Sequence, residues 1–391
     1  MARILVISGD ILPYGGFPTS GAGLRAWSIG KGLESKGHEV LLAMPRMAVP
    51  PKSVIPENLR GLLYVHRDLT SFISHHHPEI VILQHWLLAS HLQKHLELPL
   101  VIDLHGPLLL EKQFQGSPGL DALKHKKLRA LRRADLFTCA GERQRYYFEA
   151  WLLMAGFDLR NEMVRTIPVS MSPDIPTPDK PQECTFVYGG MFLPWQNPAL
   201  SLITLKNCLE ANRKGILKVW GGNHPVLKFP VPEFTRLIEQ LKDSPRAQVH
   251  SIISRDQLIQ EYLCAHVAID LMEQNVEREL AFTTRTVEYL WCGLPVIYNN
   301  YGELSKYIQD YRAGWTIDPK NTPELRKVIE EILYHPEYMA ERSRNAQRLV
   351  REQLTWDKTI EPLDAFCRHP VQSGKRKSLP PFTTCFSCET I

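Results

Sequence analysis

The tightest constraint on how this chain can fold is the run from Asn275 to Asn300, NVERELAFTTRTVEYLWCGLPVIYNN. Thr283 and Thr284 are residues of the type that caps a helix N-terminus, so Arg285 to Cys292 reads as a short helix. Gly293 suits a left-handed stop just past it, and Pro295 forbids its continuation. Pro295 to Asn299 then reads as a buried strand. A loop followed by a helix N-terminus, a helix and a strand is one repeat of an α/β protein. The first-turn N–H groups of such a helix lack intrahelical acceptors and carry partial positive charge, which suits them to a phosphate. Arg285 falls in that first turn, where the helix dipole disfavours a cation unless an anion lies nearby. Glu288 follows Thr284 by one turn and shares its face.

The chain opens on the same theme. Arg3 to Ser8 reads as a buried strand, a loop rich in Gly, Pro and Ser runs to Gly23, Leu24 to Lys36 has helical periodicity, and His38 to Met44 is a second strand. Gly21 and Gly23 sit just before the helix, where glycine lets a ligand approach the backbone closely. A nicotinamide dinucleotide fits this loop poorly. Ala26 replaces the third glycine of G-x-G-x-x-G, and the second strand ends in Met44-Pro45-Arg46 without an acid for the ribose. Strands at Glu79 to Gln84 and Pro99 to Leu104 end at His85 and His105, the place where ligand groups sit in such sheets. An edge histidine held by hydrogen bonds is the alternative, left open for His85. The run His75 to His77 ends a helix and reads as a dipole partner, because consecutive helical residues point in different directions. Lys124 to Arg133, KHKKLRALRR, has a narrow apolar stripe on a cationic helix. It reads either as a solvated face or as a contact for anionic lipid headgroups. Four prolines between Pro173 and Pro181 mark a linker. Beyond it Thr185 to Tyr188, Gly189-Gly190 and a helix from about Asn197 repeat the opening a second time. Trp195 either stacks on a ligand or packs under its loop.

LAFTTRTVEYLWCGLPVIY resembles the nucleotide-sugar signature of retaining GT-B glycosyltransferases, the group 1, family 4-like transferases with a Glu-x7-Glu loop and helix before a Cys-Gly-x-Pro-Val turn. The resemblance spans roughly Arg3 to Phe366. It implies an α/β fold of two doubly wound Rossmann-like domains with a cleft between them, and retaining, metal-independent transfer from a nucleotide-diphosphate sugar. Glu288 matches the family's ribose-binding glutamate. The first glutamate's position holds Leu280, with Glu279 one residue away as its substitute. V-I-D-L-H-G resembles the family's strand-His-Gly, whose histidine contacts the donor sugar. The expected catalytic residues are therefore His105, Arg285 and Glu279. The expected donor-binding residues are Gly21, Gly23, Gly190, Ala281, Phe282, Thr283, Thr284, Arg285, Thr286 and Glu288. Many relatives carry an Arg and a Lys in the second glycine loop to neutralise the diphosphate; here Met191 and Gln196 stand there. Arg285, the helix N-termini and Arg25 or Arg278 are expected to take over. The alternatives are an epimerase of the same fold and a non-catalytic nucleotide-sugar binder.

At 391 residues the chain is long enough for two domains, and with 44% hydrophobic and 23% charged residues it can bury both cores. The expected division is an N-terminal, acceptor-side domain over 1–170, a linker over 171–182, a nucleotide-sugar domain over 183–355, a helix crossing back over 356–370 and an irregular tail over 371–391. A net charge of +4 does not by itself imply nucleic acid. The opening apolar run is broken by Gly9, Asp10 and Pro13, and no stretch is long enough to span a bilayer. A cytoplasmic protein is the expectation, with peripheral membrane contact through Lys124–Arg133 as the alternative to a solvated helix face. Most of the eight cysteines lie in apolar runs and read as buried thiols. Cys385 and Cys388 form a lone C-x2-C short of the four ligands a zinc site needs, so neither a metal nor a cofactor is expected.

Overall fold

The computed structural model describes residues 1–14, 16–50, 53–222, 232–335 and 337–372. The Cys385/Cys388 pair and the tail from 373 lie outside the described residues. Two parallel sheets organise the chain. The first holds β1 (Arg3–Ile7), β2 (Glu39–Pro45), β3 (Leu63–Tyr64), β4 (Ile80–Gln84), β5 (Leu100–Asp103), β6 (Leu136–Cys139) and β7 (Val164–Thr166), in the order β3-β2-β1-β4-β5-β6-β7. The second holds β8 (Thr185–Met191), β9 (Ile216–Gly222), β10 (Ala247–His250), β11 (Val267–Asp270), β12 (Val296–Asn299) and β13 (Gly314–Ile317), in the order β10-β9-β8-β11-β12-β13. Strands such as ILVI and IVIL are apolar without alternation because helices cover both faces of each sheet. Four apolar clusters result, one on each face. In each sheet the strand order reverses beside the first strand, between β1 and β4 and between β8 and β11. Ligand crevices of doubly wound folds open at that point, beyond the carboxyl ends of the strands.

The proline-rich segment after Met171 is not a free tether. Trp291 Nε1 donates to Ser172 O at 2.9 Å, Gln347 Nε2 to Pro176 O at 2.7 Å and Asp179 N to Leu263 O at 3.0 Å. The chain returns beside it. Met171 N donates to Leu354 O at 2.9 Å and Trp356 N to Met171 O at 3.0 Å. Helix Glu361–Arg368 then packs Ile360, Leu363 and Cys367 into the first half's core. Asp364 accepts from His38 Nε2 at 2.8 Å and anchors it there.

Several elements escape the sequence patterns. Helix Leu108–Phe114 and strand β13 are too short to show a period. The polybasic helix runs Leu120–Leu131, and its Lys127 is not on the cationic face. Lys127 is 1% exposed, with Nζ 4.0 Å from the Trp151 ring centre and 5.0 and 5.1 Å from those of Tyr147 and Phe148. Lys124 and Arg129 are the exposed cationic positions of this helix.

Candidate active site

A cleft of about 370 Å³ opens where the two halves meet at the carboxyl ends of their strands. Two helix N-termini face it. In the first half, helix Gly21–Ser35 presents Ser20, Gly21 and Ala22, with Ser20 Oγ accepting from Gly23 N at 3.1 Å. In the second, helix Thr284–Trp291 presents Thr283, Thr284 and Arg285. Its first backbone bond runs from Val287 N to Thr283 O, so the N–H groups before Val287 have no intrahelical acceptor. The Thr283 hydroxyl does not cap them; it bonds Thr286 Oγ1 at 2.7 Å and lies 3.0 Å from Tyr298 OH. Neither helix carries an acid in its first turn, so both dipoles favour an anion in the cleft. A Cβ on Gly21 would meet Thr284 Oγ1 at 3.2 Å, so the two termini touch across the interface.

Arg285 lies on the cleft wall with 14% of its side chain exposed. Its guanidinium donates to Gly189 O at 3.3 Å and to Gln196 Oε1, and lies 3.7 Å from Asp270 Oδ1. Gly190, at φ +142°, makes room for it, since a Cβ there would sit 2.9 Å from Arg285 Nη1. Asp270, at the end of β11, was not singled out by sequence. It is buried, accepts from the Thr286 hydroxyl, and gives Arg285 a fixed counter-charge. Glu288 is 4% exposed on the same wall and accepts from Arg255 Nε at 2.9 Å. Burial pushes its carboxyl above the usual range, and Arg255 opposes that push.

His105 lines the first-half wall. Burial pushes its imidazole down to about 4, so it is neutral at ordinary pH, with a buried Nδ1 that has no partner among the described residues. Beside it Glu111, from helix Leu108–Phe114, reaches back over Gly106, where a Cβ would lie 2.9 Å from Glu111 Oε1. Burial and then the charge of Glu277 push this carboxyl up to about 8. Glu277 and Arg278 also line the cleft, locked in a two-point pair at 2.6 and 2.8 Å.

Of the expected residues, the cleft gathers Gly21, Gly190, Ala281, Phe282, Thr283, Thr284, Arg285, Glu288 and His105. Others are corrected. Gly23 is not on the wall; a Cβ there would fall 1.7 Å from Ile11 O, so packing requires the glycine. Thr286 is fully buried and serves Asp270. Glu279 does not line the cleft, and its carboxylate accepts from Gln274 Nε2 at 2.7 Å. Asn275 caps a five-residue helix, Val276–Leu280, whose phase turns Glu277 inward and Glu279 away. Arg25 is not available to a diphosphate: it is 1% exposed and grips Asp103 with two nitrogens at 2.7 and 2.8 Å. Gln196 does face the cleft, as the acceptor of Arg285. Trp195 is 6% exposed and lines it too. His85 does not line it; at φ +75° its Nδ1 accepts from Leu87 N at 3.2 Å and starts the short helix Trp86–Ala89. Glu111 and Asp270 were missed because nothing in their local sequence separates them from ordinary helix and strand residues.

Residues 177–349 match the family model described as glycosyl transferases group 1. Two curated relatives align over short stretches. The D-inositol 3-phosphate glycosyltransferase of Gordonia bronchialis is 29% identical over 93 residues, 24% of this chain and 20% of that protein. The sucrose synthase of Denitrovibrio acetiphilus is 32% identical over 92 residues, 22% of this chain and 12% of that protein. Among solved structures, the sucrose-phosphate synthase of Thermosynechococcus elongatus superposes with a TM-score of 0.71 at 16% identity, over 93% of this chain and 98% of that one. Anabaena HepE, solved with UDP and glucose, gives 0.65 at 14% identity over 94% and 100%. WaaG, a glycosyltransferase involved in lipopolysaccharide biosynthesis, gives 0.63 at 15% identity over 94% and 100%. The chain thus has the GT-B fold, and its residues 177–349 resemble the glycosyl transferases group 1 domain.

Proposed function

We propose that this chain transfers a glycosyl group from a nucleoside diphosphate sugar to an acceptor hydroxyl, with retention and without a metal ion. One observation carries the reading: the N-terminus of helix Thr284–Trp291, with Arg285 beside it, opens into the cleft against the N-terminus of helix Gly21–Ser35, and buried Glu288 stands one turn on. The diphosphate takes the N–H groups at Thr284 and the Arg285 guanidinium. Glu288 accepts from the ribose hydroxyls, and Arg255 holds its carboxyl in place. Trp220, Ile252 and Ile253 form an apolar wall for the base at that end. HepE, which binds UDP and glucose in the same fold, supports a nucleotide-sugar donor.

Transfer requires charge stabilisation on the departing diphosphate and a held sugar. Arg285 and the two helix ends supply the first. Neutral His105 supplies a hydrogen-bonding group at the sugar without a competing charge. The departing phosphate accepts the acceptor's proton on the same face, which retains the anomeric configuration. Among the described residues no group of three or more His, Cys, Asp or Glu side chains could hold a metal. The exposed cations Lys124 and Arg129 are proposed to meet anionic headgroups; no helix among the described residues is long and apolar enough to cross a membrane.

A melting-temperature screen against UDP, GDP, dTDP, ADP and CDP, with and without EDTA, tests the donor reading. One nucleotide is expected to raise the melting temperature whether or not EDTA is present. No shift with any of the five would refute the reading.

A further inference from the structure

Glu111 is a half-buried acid on the cleft wall for which the transfer chemistry above has no use. It stands on the first-half wall one turn past Gly106, and Gly106 leaves the space its carboxyl occupies. Its neighbour on the same wall is His105, and helix Val276–Leu280, with Glu277 and Arg278, packs against Glu111's own helix from the second half. Arg278 is committed to Glu277 by two hydrogen bonds. No described residue hydrogen-bonds the Glu111 carboxyl. A half-buried acid on the cleft wall with no hydrogen bond from a described residue keeps its donor and acceptor capacity for what enters the cleft.

We infer that Glu111 is a specificity-determining residue that hydrogen-bonds a hydroxyl of the transferred sugar from the first-half wall, opposite Glu277. This rests on the donor reading above. The charged and titratable groups around it are His105 in the preceding loop, Lys112 on its own helix, Tyr147 on helix Glu142–Met154, and Glu277 and Arg278 across the cleft. Burial and then the charge of Glu277 raise the Glu111 carboxyl to about 8, so it holds its proton at neutral pH. A carboxylic acid both donates and accepts, which matches a sugar hydroxyl; a carboxylate only accepts.

The nucleoside diphosphate found in the melting screen is titrated calorimetrically into the full-length protein, beside its glucosyl, galactosyl and mannosyl esters, at pH 6.5 and pH 9. Glu111→Ala is expected to weaken at least one ester tenfold or more while leaving the bare diphosphate within about twofold, a loss on the scale of one buried hydrogen bond. Glu111→Gln keeps a donor and an acceptor in place and should recover most of that loss. Raising the pH should weaken the wild-type protein's ester binding more than that of Glu111→Gln. The bare diphosphate serves as the control for folding and for the donor site. If it binds nowhere, the donor reading fails. If it binds normally but no ester binds, or if Glu111→Ala treats ester and diphosphate alike, this inference alone is overturned. The same holds if the wild type and Glu111→Gln respond identically to pH.

Discussion

Glu288 and Arg285 sit three residues apart on one turn, and their expected losses differ in kind. Glu288→Ala removes the buried carboxyl that accepts two hydrogen bonds from the ribose, so nucleotide affinity should fall about 10- to 1,000-fold by calorimetry. Arg285→Ala should lower turnover more than donor affinity, because its charge is needed most when the diphosphate departs. Glu111 gives a separate readout. Its folded-state pKa, about 8, lies above the ordinary 4.5, so the folded chain holds the proton more tightly than the unfolded one. Relative to Glu111→Gln, wild-type stability should therefore be intact below about pH 4.5 and decline as pH rises toward 8. Melting curves of the two proteins at pH 5 and pH 9 check this; an equal gap at both would contradict it. At this scale the sequence showed the motif around Thr284 to Pro295, whose helix start and stop signals are local, but not its distant side-chain partners Gly189, Arg255 and Asp270. Arg25 was misread because its partner Asp103 is 78 residues away and invisible to spacing. Glu279 was expected in the cleft only because it adjoins Leu280, and a helix of five residues has too few turns to reveal that its phase turns Glu279 away. Arg25→Ala leaves Asp103 buried and unpaired, a change expected to cost about 3–5 kcal/mol in chemical denaturation.

Elements were readable wherever a pattern ran long enough. The alternation of buried strand, glycine turn and helix gave both sheets, and Gly293 at φ +73° ends helix Thr284–Trp291 where a left-handed residue was expected. The polybasic helix shows the limit. KHKKLRALRR reads as one cationic face, yet Lys127 turns inward onto Trp151, a cation–π contact only the fold reveals. The proposed lipid contact thus rests on fewer charges. Vesicles rich in phosphatidylglycerol should sediment the protein while phosphatidylcholine vesicles do not, and charge reversal at Lys124 and Arg129 should abolish the difference. Equal non-binding to both vesicles would remove the lipid contact and leave the donor site untouched.

Across the whole molecule, the cleft depends on how the halves meet, and those contacts join residues far apart in sequence. Glu303, just before helix Leu304–Tyr311, accepts from the backbone of Glu142 and Arg143 at 2.8 and 3.1 Å, and so caps helix Glu142–Met154 from the other half. Arg255 N reaches Phe17 O at 3.1 Å on the opposite side of the cleft. No local pattern could announce such pairings, although the two-sheet plan was legible from strand order. The central claim is that the end of helix Thr284–Trp291 grips the diphosphate while Glu288 holds the ribose. A crystal structure with the nucleoside diphosphate from the screen tests it most directly. Phosphate oxygens should lie about 3 Å from the backbone N of Thr284 or Arg285, with Glu288 accepting from the ribose hydroxyls. A nucleotide bound elsewhere, or in the cleft with its ribose away from Glu288, would contradict the claim.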